Sequence, residues 1–269
     1  DLRDRVLDHA RVARHSLVLD LKTASGLLTW EALRRVPEGG VYTLARSVRD
    51  ADALTQLTAR LADVEQPIIL QGEIVDLPML LADQAEMHFD ALIGYNAFLD
   101  QADKTGQAAV LAGLLSPTGV ISLAERVPRH TQRLHKLVDL DGLAVDLRTR
   151  MIQAEEAIYA DATDPLVSWD EETLAQALRA AGLTVTATGV TESNDLQITD
   201  ALLQRWFAPA TGDRPSYGQR LAVALSPEEV QQVQDLFVRQ LRNQVVTWHS
   251  RLVYFTATTA TMRASTASM

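Results

Sequence analysis

Residues 18–26 read Val-Leu-Asp-Leu-Lys-Thr-Ala-Ser-Gly and connect a short apolar segment to an amphipathic one. The apolar segment, residues 16–21, predicts a buried β-strand, because it is short, aliphatic and followed by polar turn residues. The segment that begins near Leu27 predicts an α-helix to residue 36, closed by Pro37-Glu38-Gly39-Gly40. A buried strand that leads through a tight turn into a helix is typical of the first unit of an α/β fold.

The turn in this unit has lost most of the glycines that such turns carry when they bind a nucleotide. In the pattern Gly-x-Gly-x-Gly, Lys22 and Ala24 stand at the first two glycine positions, and only Gly26 is kept. Glycine permits positive φ there and lets the backbone approach a ligand without a Cβ atom in the way. The position of the turn therefore predicts the fold, whereas the substitutions predict a weakened ligand site.

Strand and helix patterns alternate up to residue 125. Further strands are predicted at residues 41–45, 67–70, 89–95 and 119–124, with helices at residues 108–115 and on the apolar spacing of Leu54, Leu57, Leu61 and Val64. Strands separated by single helices imply right-handed crossovers and a doubly wound, mostly parallel sheet.

The pattern changes after residue 125. Residues 131–161, with a possible break at Asp141-Gly142, and residues 168–180 predict helices. Residues 183–190 predict a strand, and Ser226-Pro227-Glu228-Glu229 predicts the capped start of another helix. Residues 245–256 alternate as a final strand, and the Thr/Ala/Ser-rich residues 258–269 predict a disordered tail. We therefore expect one domain over residues 1–257, with a core at 15–125 and a C-terminal extension at 126–257.

The composition is that of an ordinary globular protein, and it excludes several classes of function. The 269 residues carry a net charge of −10, which argues against a general nucleic-acid-binding surface. No apolar run approaches the roughly 18 residues needed to span a bilayer, so no membrane partner is expected. The chain has no cysteine, which fits a reducing cytoplasm. It begins at Asp1 rather than at a methionine, and we expect it to be a piece of a longer polypeptide.

Three segments together resemble the class I S-adenosylmethionine-dependent methyltransferases. Val18-Leu19-Asp20 with Gly26-Leu27-Leu28-Thr29 resembles the first motif of that family, residues 89–94 (Phe-Asp-Ala-Leu-Ile-Gly) the fourth, and residues 115–121 (Leu-Ser-Pro-Thr-Gly-Val-Ile) the fifth. The resemblance covers roughly residues 1–260. It implies a seven-stranded sheet with an antiparallel C-terminal strand, and S-adenosylmethionine as cofactor.

Two shorter runs carry a narrower resemblance. Residues 26–41 (Gly-Leu-Leu-Thr-Trp-Glu-Ala-Leu-Arg-Arg-Val-Pro-Glu-Gly-Gly-Val) and Arg214-Pro215-Ser216-Tyr217-Gly218 are similar to a cyanobacterial domain. That domain follows the AAA+ ATPase of RarA/MgsA-type recombination factors in a fusion protein. The resemblance implies an upstream AAA+ ATPase domain as partner and a role in DNA recombination and replication.

The methyltransferase resemblance also implies where cofactor contacts would lie. Asp20 would hold the amino end of the cofactor, or would cap the neighbouring helix. Glu73 lies near the adenine position, or is a solvated acid of the loop. Arg46 stands near the place of the acid that binds the ribose, although arginine has no acceptor. Gly94 and Asn96 follow the pattern at the end of the fourth strand, where amino-directed enzymes carry Asn/Asp-Pro-Pro-aromatic, but here both prolines are absent.

Charge strengthens the expectation that the cofactor is not bound. S-adenosylmethionine carries a sulfonium cation, and a lysine or arginine roughly 7 Å away costs about 2 kcal/mol at an effective dielectric constant of 20. We therefore expect a degenerate site, no bound cofactor and a role in interaction rather than catalysis. Two alternatives are a working methyltransferase whose turn tolerates Lys22 and Ala24, and a phosphorylated-dinucleotide binder in which Arg46 meets a ribose 2′-phosphate.

Two other surfaces are candidates for partners. Arg126, Arg129, Arg133 and Lys136 form a basic cluster, which predicts either phosphate contact or a solvated face. The aromatic and arginine-rich residues between Arg205 and Tyr217 predict a protein interface or internal packing. The six histidines are not spaced as metal ligands, so no metal site is expected.

Overall fold

The computed structural model describes residues 1–23, 26–59, 66–84, 86–210, 212 and 214–259. Its strands are β1 (Leu17–Asp20), β2 (Gly40–Ala45), β3 (Ile68–Gln71), β4 (Phe89–Tyr95), β5 (Leu115–Arg126), β6 (Leu183–Gln197) and β7 (Val245–Thr259). Its helices are α1 (Leu2–Ala10), α2 (Leu27–Arg35), α3 (Val48–Thr58), α4 (Leu77–Leu80), α5 (Lys104–Leu114), α6 (Val145–Ala160), α7 (Glu171–Ala180), α8 (Asp200–Phe207), α9 (Tyr217–Leu221) and α10 (Pro227–Leu241).

The strands form one seven-stranded sheet in the order β3-β2-β1-β4-β5-β7-β6. β1 pairs in parallel with β2 and β4, β2 with β3, and β4 with β5, whereas β7 runs antiparallel to β5. The predicted doubly wound, mostly parallel sheet with an antiparallel C-terminal strand is therefore confirmed. Because the strand order reverses between β1 and β4, a crevice for ligands is expected at their carboxyl ends.

The chain divides into two compact units. The first comprises residues 1–126, 171–190 and those from 252 onward, and the second comprises residues 127–170 and 191–251. The predicted core at 15–125 lies within the first unit, and the C-terminal extension is shared between the two. The organisation as one domain stays a prediction.

The first unit contains a helix that the sequence pattern did not indicate. α1 begins after Asp1, whose side chain accepts a hydrogen bond from the Arg3 amide, and its Val6 and Leu7 are fully buried. These residues belong to a core that also contains Val18 of β1 and Leu28 of α2. Apolar burial of this kind stabilises the helix more than its intrinsic propensity does.

The second unit has a core of aliphatic and aromatic side chains from α6, α8, α9 and α10. Phe237 is fully buried, and the ring of Phe207 packs edge-on against it at 5.4 Å. The predicted cap of α10 is confirmed: the Ser226 hydroxyl accepts from the Glu229 amide, and the Glu229 side chain accepts from the Ser226 amide. α8 and α9 were not predicted.

The prediction of a helix over residues 131–161 is wrong in its first half. Three 3-10 turns, Pro128–His130, Leu134–Leu137 and Leu140–Gly142, precede α6. The backbone N–H groups of Leu134 and His135 donate to the buried carboxylate of Glu155. This side-chain acceptor replaces the carbonyl partners of a regular helix.

Two boundaries also differ from expectation. α3 begins at Val48 with Ser47 as its cap, and Leu57 is exposed rather than on a buried face, while Leu61 and Val64 lie outside the described residues. β7 includes Thr258 and Thr259, which we assigned to the tail, and residues 260–269 lie outside the described part of the chain. None of the described helices has the length and apolar character required to cross a bilayer.

Candidate cofactor site at the carboxyl ends of the strands

Asp20 ends β1 and is fully buried. Its carboxylate accepts hydrogen bonds from the Thr29 hydroxyl at 2.7 Å and from the Lys22 amide at 3.2 Å. Burial raises its pKa to about 6, although these hydrogen bonds act in the opposite direction. Both bonds tie the end of the strand to the turn and to α2. The choice between the two roles considered for this residue stays a prediction.

Gly26 begins α2 in the left-handed conformation, with φ of 72°. A Cβ atom at this position would lie 3.2 Å from Nε1 of Trp30, so both backbone and packing favour glycine. The retained glycine is therefore explained by the start of the helix. Ala24 lies outside the described residues.

Lys22 lies in the turn after β1 and reaches across to the segment after β4. Its ammonium donates to the Asn96 carbonyl at 2.9 Å and lies 4.0 Å from the Asp100 carboxylate. Burial, followed by the nearby charge of Arg46, lowers its pKa. The side chain that replaces the first glycine is thus fixed inside the site.

Arg46 follows β2 directly, and its guanidinium is largely buried. Nη1 donates to Asp100 at 2.6 Å and Nη2 donates to the Ala97 carbonyl at 2.7 Å. Nε lies 3.1 Å from a carboxylate oxygen of Glu73, an ion-pair distance without hydrogen-bond alignment. Partial burial raises the pKa of Asp100, but the hydrogen bond and charge of Arg46 outweigh it and lower that pKa overall.

Glu73 is half-exposed in the segment that follows β3. It accepts from the Gln101 side-chain amide at 3.1 Å and forms a capping box with Asp76 at the next short helix. Its carboxylate is therefore already engaged by Gln101 and by the charge of Arg46.

Gly94 and Asn96 are explained by packing and by backbone geometry. A Cβ atom on Gly94 would lie 3.0 Å from that of Ala97 and 3.1 Å from a methyl group of Leu123. Asn96 has φ of 54°, and its side-chain oxygen accepts from the Arg126 amide at 2.9 Å. The Asn96 side chain thus ties the end of β4 to the end of β5. In amino-directed enzymes, the side chain at this place would receive the target amine.

Sequence reasoning missed three charged residues beside these. Asp100 is the partner of both Lys22 and Arg46, and Glu125, near the end of β5, is fully buried. The Glu125 carboxyl accepts from the Ala97 amide at 2.8 Å and the Phe98 amide at 3.2 Å, and burial raises its pKa to about 8. The Lys104 ammonium donates to the Gln101 carbonyl at 2.6 Å, and burial lowers its pKa to about 8.

A signal for Glu125 was present in the sequence. It is an acid that directly follows the apolar run Val120-Ile121-Ser122-Leu123-Ala124, and the carboxyl ends of β4 and β5 must meet because the strands are parallel. No comparable pattern marks Asp100, because its partners are more than fifty residues away along the chain.

These contacts change the electrostatic expectation. Lys22 and Arg46 were expected to repel a cationic ligand, but both lie beside Asp100, and Arg46 also lies beside Glu73. The local positive charge is therefore compensated within the protein. The Arg46 and Lys22 side chains also engage acceptors at this edge: Asp100 and the carbonyls of Ala97 and Asn96.

Among the described residues at this edge, the carboxylates that could accept from ribose hydroxyls are already engaged, because Glu73 and Asp100 are ion-paired to Arg46. The buried carboxylate of Asp20 is bonded to the turn and to Thr29.

The residues between Arg205 and Tyr217, the predicted protein interface, belong to the second unit. In the part of the chain that the structure describes, no three acidic or histidine side chains are grouped as metal ligands. Between Arg205 and Tyr217, Phe207 and Tyr217 pack against Phe237, and the Tyr217 hydroxyl donates to Glu155 at 2.7 Å. These two aromatic residues are internal, whereas Arg205 is exposed.

Comparison with known proteins identifies the fold. No family model matches the sequence, and no curated protein sequence matches it either. Among solved structures, the chain is similar to a candidate methyltransferase from Bacillus halodurans C-125, with a TM-score of 0.55 at 11% identity over 95% of this chain and 97% of that one. It is equally similar to the YcgJ protein of Bacillus subtilis, with a TM-score of 0.55 at 11% identity over 96% and 97% of the two chains.

A third similar structure is the [4+2]-cyclase SpnF, with a TM-score of 0.53 at 14% identity over 96% of this chain and 80% of that one. The chain therefore has the Rossmann-like fold of the class I methyltransferases. One fold carries different chemistry, so the activity has to be argued from the site.

Proposed function

We propose that this chain is a degenerate methyltransferase-like domain that acts by interaction rather than by catalysis. The observation that carries the proposal is the bridge that Arg46 makes from the end of β2 to Asp100 and the Ala97 carbonyl. A largely buried guanidinium that donates hydrogen bonds from two nitrogens, with the third beside Glu73, closes the crevice in which a cofactor of this fold would lie.

Ligand binding would cost several hydrogen bonds of the protein. A nucleoside would have to displace the two hydrogen bonds that Arg46 donates to Asp100 and to the Ala97 carbonyl, and the one that Lys22 donates to the Asn96 carbonyl. Each charge-assisted hydrogen bond contributes about 1.5–3 kcal/mol. The loss of two or three such bonds corresponds to a weakening of binding by roughly three orders of magnitude or more. The ligand would also leave Asp100 and Glu73 without their cation.

The narrower resemblance supports a biological context for such a domain. Residues 26–41 contain the start of α2, where Gly26 has positive φ and packs against Trp30. The glycine of this run therefore has a structural role that does not depend on cofactor binding. We propose that the chain is an accessory domain of a RarA-type AAA+ recombination factor. In that setting it would bind the ATPase domain and would contribute no methyl transfer to DNA recombination or replication.

The partner proposal is tested by mixing the purified chain with a cyanobacterial RarA-type ATPase domain and measuring mass by size-exclusion chromatography with light scattering. We expect a complex, and we expect Arg205→Glu to weaken it at least about tenfold, because a charge reversal at an interface costs several kcal/mol. Arg49→Glu is the matched control, since Arg49 is also exposed and lies on α3. Absence of a complex, or equal loss in both variants, would count against this interface.

A further inference from the structure

The second unit contains a cavity of about 490 Å³ with a basic lining. Three of the basic residues from the predicted cluster line it: Arg129, Arg133 and Lys136. Gln132, Glu156 and His249 contribute to the same wall. The fourth member of the cluster, Arg126, belongs to the first unit and donates to the Tyr95 hydroxyl at 2.8 Å.

Arg133 is held in one position by three contacts. Nε lies 3.0 and 3.1 Å from the two carboxylate oxygens of Glu156, and Nη1 donates to the Thr131 carbonyl at 2.7 Å. The guanidinium stacks on the Tyr159 ring, with Cζ 3.7 Å from the ring centroid. Glu156 thus balances one of the three cations of this wall, and a net positive charge remains from the other two.

Arg129 and Lys136 are different from Arg133. Across the described ranges, neither side chain forms a hydrogen bond or an ion pair, and both line the same cavity. Two uncompensated positive charges at one concave site contrast with a chain whose net charge is −10. Uncompensated cations that converge on a cavity attract an anionic ligand.

The wall that carries these cations is fixed by one backbone and two side-chain contacts. The Gln132 amide donates to the His249 carbonyl at 3.1 Å, and the His249 amide donates to the Gln132 side-chain oxygen at 3.0 Å. Nδ1 of His249 lies 2.8 Å from the Ser193 hydroxyl. The segment with Arg129 and Arg133 is therefore anchored to β7, which lowers the ordering cost of binding.

We propose that this cavity binds a small molecule through its phosphate groups. Guanidinium and ammonium groups are the standard partners of phosphate. Arg129 and Lys136 would donate hydrogen bonds to a phosphate in the cavity, and Arg133 is held in the same wall by its own contacts. The volume matches that of pockets for small ligands, which run from about 300 to 1,000 Å³. A concave site on a strongly acidic chain favours a discrete anion over the backbone of a nucleic acid, which needs an extended basic surface.

The test is calorimetric titration of the full chain with inorganic pyrophosphate at low ionic strength. We expect binding that weakens as salt is added, and at least about tenfold weaker binding in Arg129→Gln and in Lys136→Gln, because each change removes one charge-assisted contact. Arg49→Gln, an exposed arginine on α3, is the control and should bind as the unchanged protein does. Thermal unfolding of each variant verifies that the fold is kept.

Two kinds of result would overturn the proposal. One is a failure of the titration: no binding of pyrophosphate, or the same loss in Arg49→Gln as in the cavity variants. The other is a labelled single-stranded oligonucleotide that binds through Arg129 and Lys136 while pyrophosphate does not compete, which would assign the cavity to nucleic acid. The cavity lies in the second unit, so neither result depends on whether S-adenosylmethionine binds.

Discussion

Replacement of Glu125 by glutamine is expected to remove most of the loss of stability that the original protein shows between pH 5 and pH 8. The Glu125 carboxyl is fully buried, and its pKa is raised to about 8 from an ordinary value of 4.5. In the folded state it stays protonated up to about pH 8, whereas in the unfolded chain it ionises near pH 4.5. The folded state therefore binds more protons in this window, and stability falls as pH rises from about 4.5 to 8.

The expected size of this fall is large. Each unit of pKa shift corresponds to about 1.4 kcal/mol, so the original protein should lose roughly 3–5 kcal/mol across the window. In the original protein, Oε1 of Glu125 accepts hydrogen bonds from the amides of Ala97 and Phe98. The side-chain oxygen of glutamine would accept both of these bonds. Because glutamine does not ionise, the difference between the two proteins isolates the contribution of this carboxyl from that of Asp20.

The measurement is the free energy of unfolding in urea at several pH values from 5 to 8. Lys104, whose pKa is lowered to about 8, begins to lose its proton in the fold at the top of this range and there opposes the fall. Both proteins carry Lys104, so the comparison between them is kept. Glu38→Gln is the control, because Glu38 is an exposed acid paired with Arg14. Parallel pH profiles for Glu125→Gln and the original protein would show that Glu125 is ionised in the fold.

Glu155→Ala is expected to destabilise the second unit strongly. The Glu155 carboxylate is fully buried and accepts from the His135 amide at 2.9 Å, from the Leu134 amide and from the Tyr217 hydroxyl at 2.7 Å. Its removal leaves these donors buried without an acceptor, and each buried unsatisfied group costs about 1–3 kcal/mol. We expect a loss of about 3–5 kcal/mol in the free energy of unfolding.

The neighbouring acid provides a matched control. Glu156 is half-exposed and pairs with Arg133, so Glu156→Ala should cost less than about 1 kcal/mol. Urea unfolding followed by tryptophan fluorescence measures both variants, and amide hydrogen exchange at residues 134–137 reports the local effect. Equal costs for the two variants would contradict the role given to Glu155.

The sequence predicted the elements that are determined by local pattern. β4 was assigned to its observed bounds, because an apolar run was flanked by polar residues, and the α10 start followed from Ser226, Pro227 and Glu229. The 3-10 turns before α6 were not predictable in this way, because Glu155 supplies their acceptor from about twenty residues along the chain. α1 is short and gains its stability from burial of Val6 and Leu7 in the first unit.

The candidate site was predicted in its position but not in its chemistry. Lys22 and Arg46 were placed at the carboxyl ends of β1 and β2, where the structure has them. Their partner Asp100 lies in the segment after β4, and no sequence spacing connects it to either cation. From the sequence alone, the positive charges of Lys22 and Arg46 indicated repulsion of the cofactor. Paired with Asp100, they indicate instead a site that the protein's own side chains occupy.

The most direct test of the account is a calorimetric titration of the unchanged protein with S-adenosylmethionine and with S-adenosylhomocysteine. Arg46 donates to Asp100 and to the Ala97 carbonyl, and Lys22 donates to the Asn96 carbonyl. Because these side chains occupy the crevice, we predict no saturable binding of either compound up to millimolar concentration. Micromolar binding of either one would contradict the closed site, and with it the proposal that the domain is degenerate.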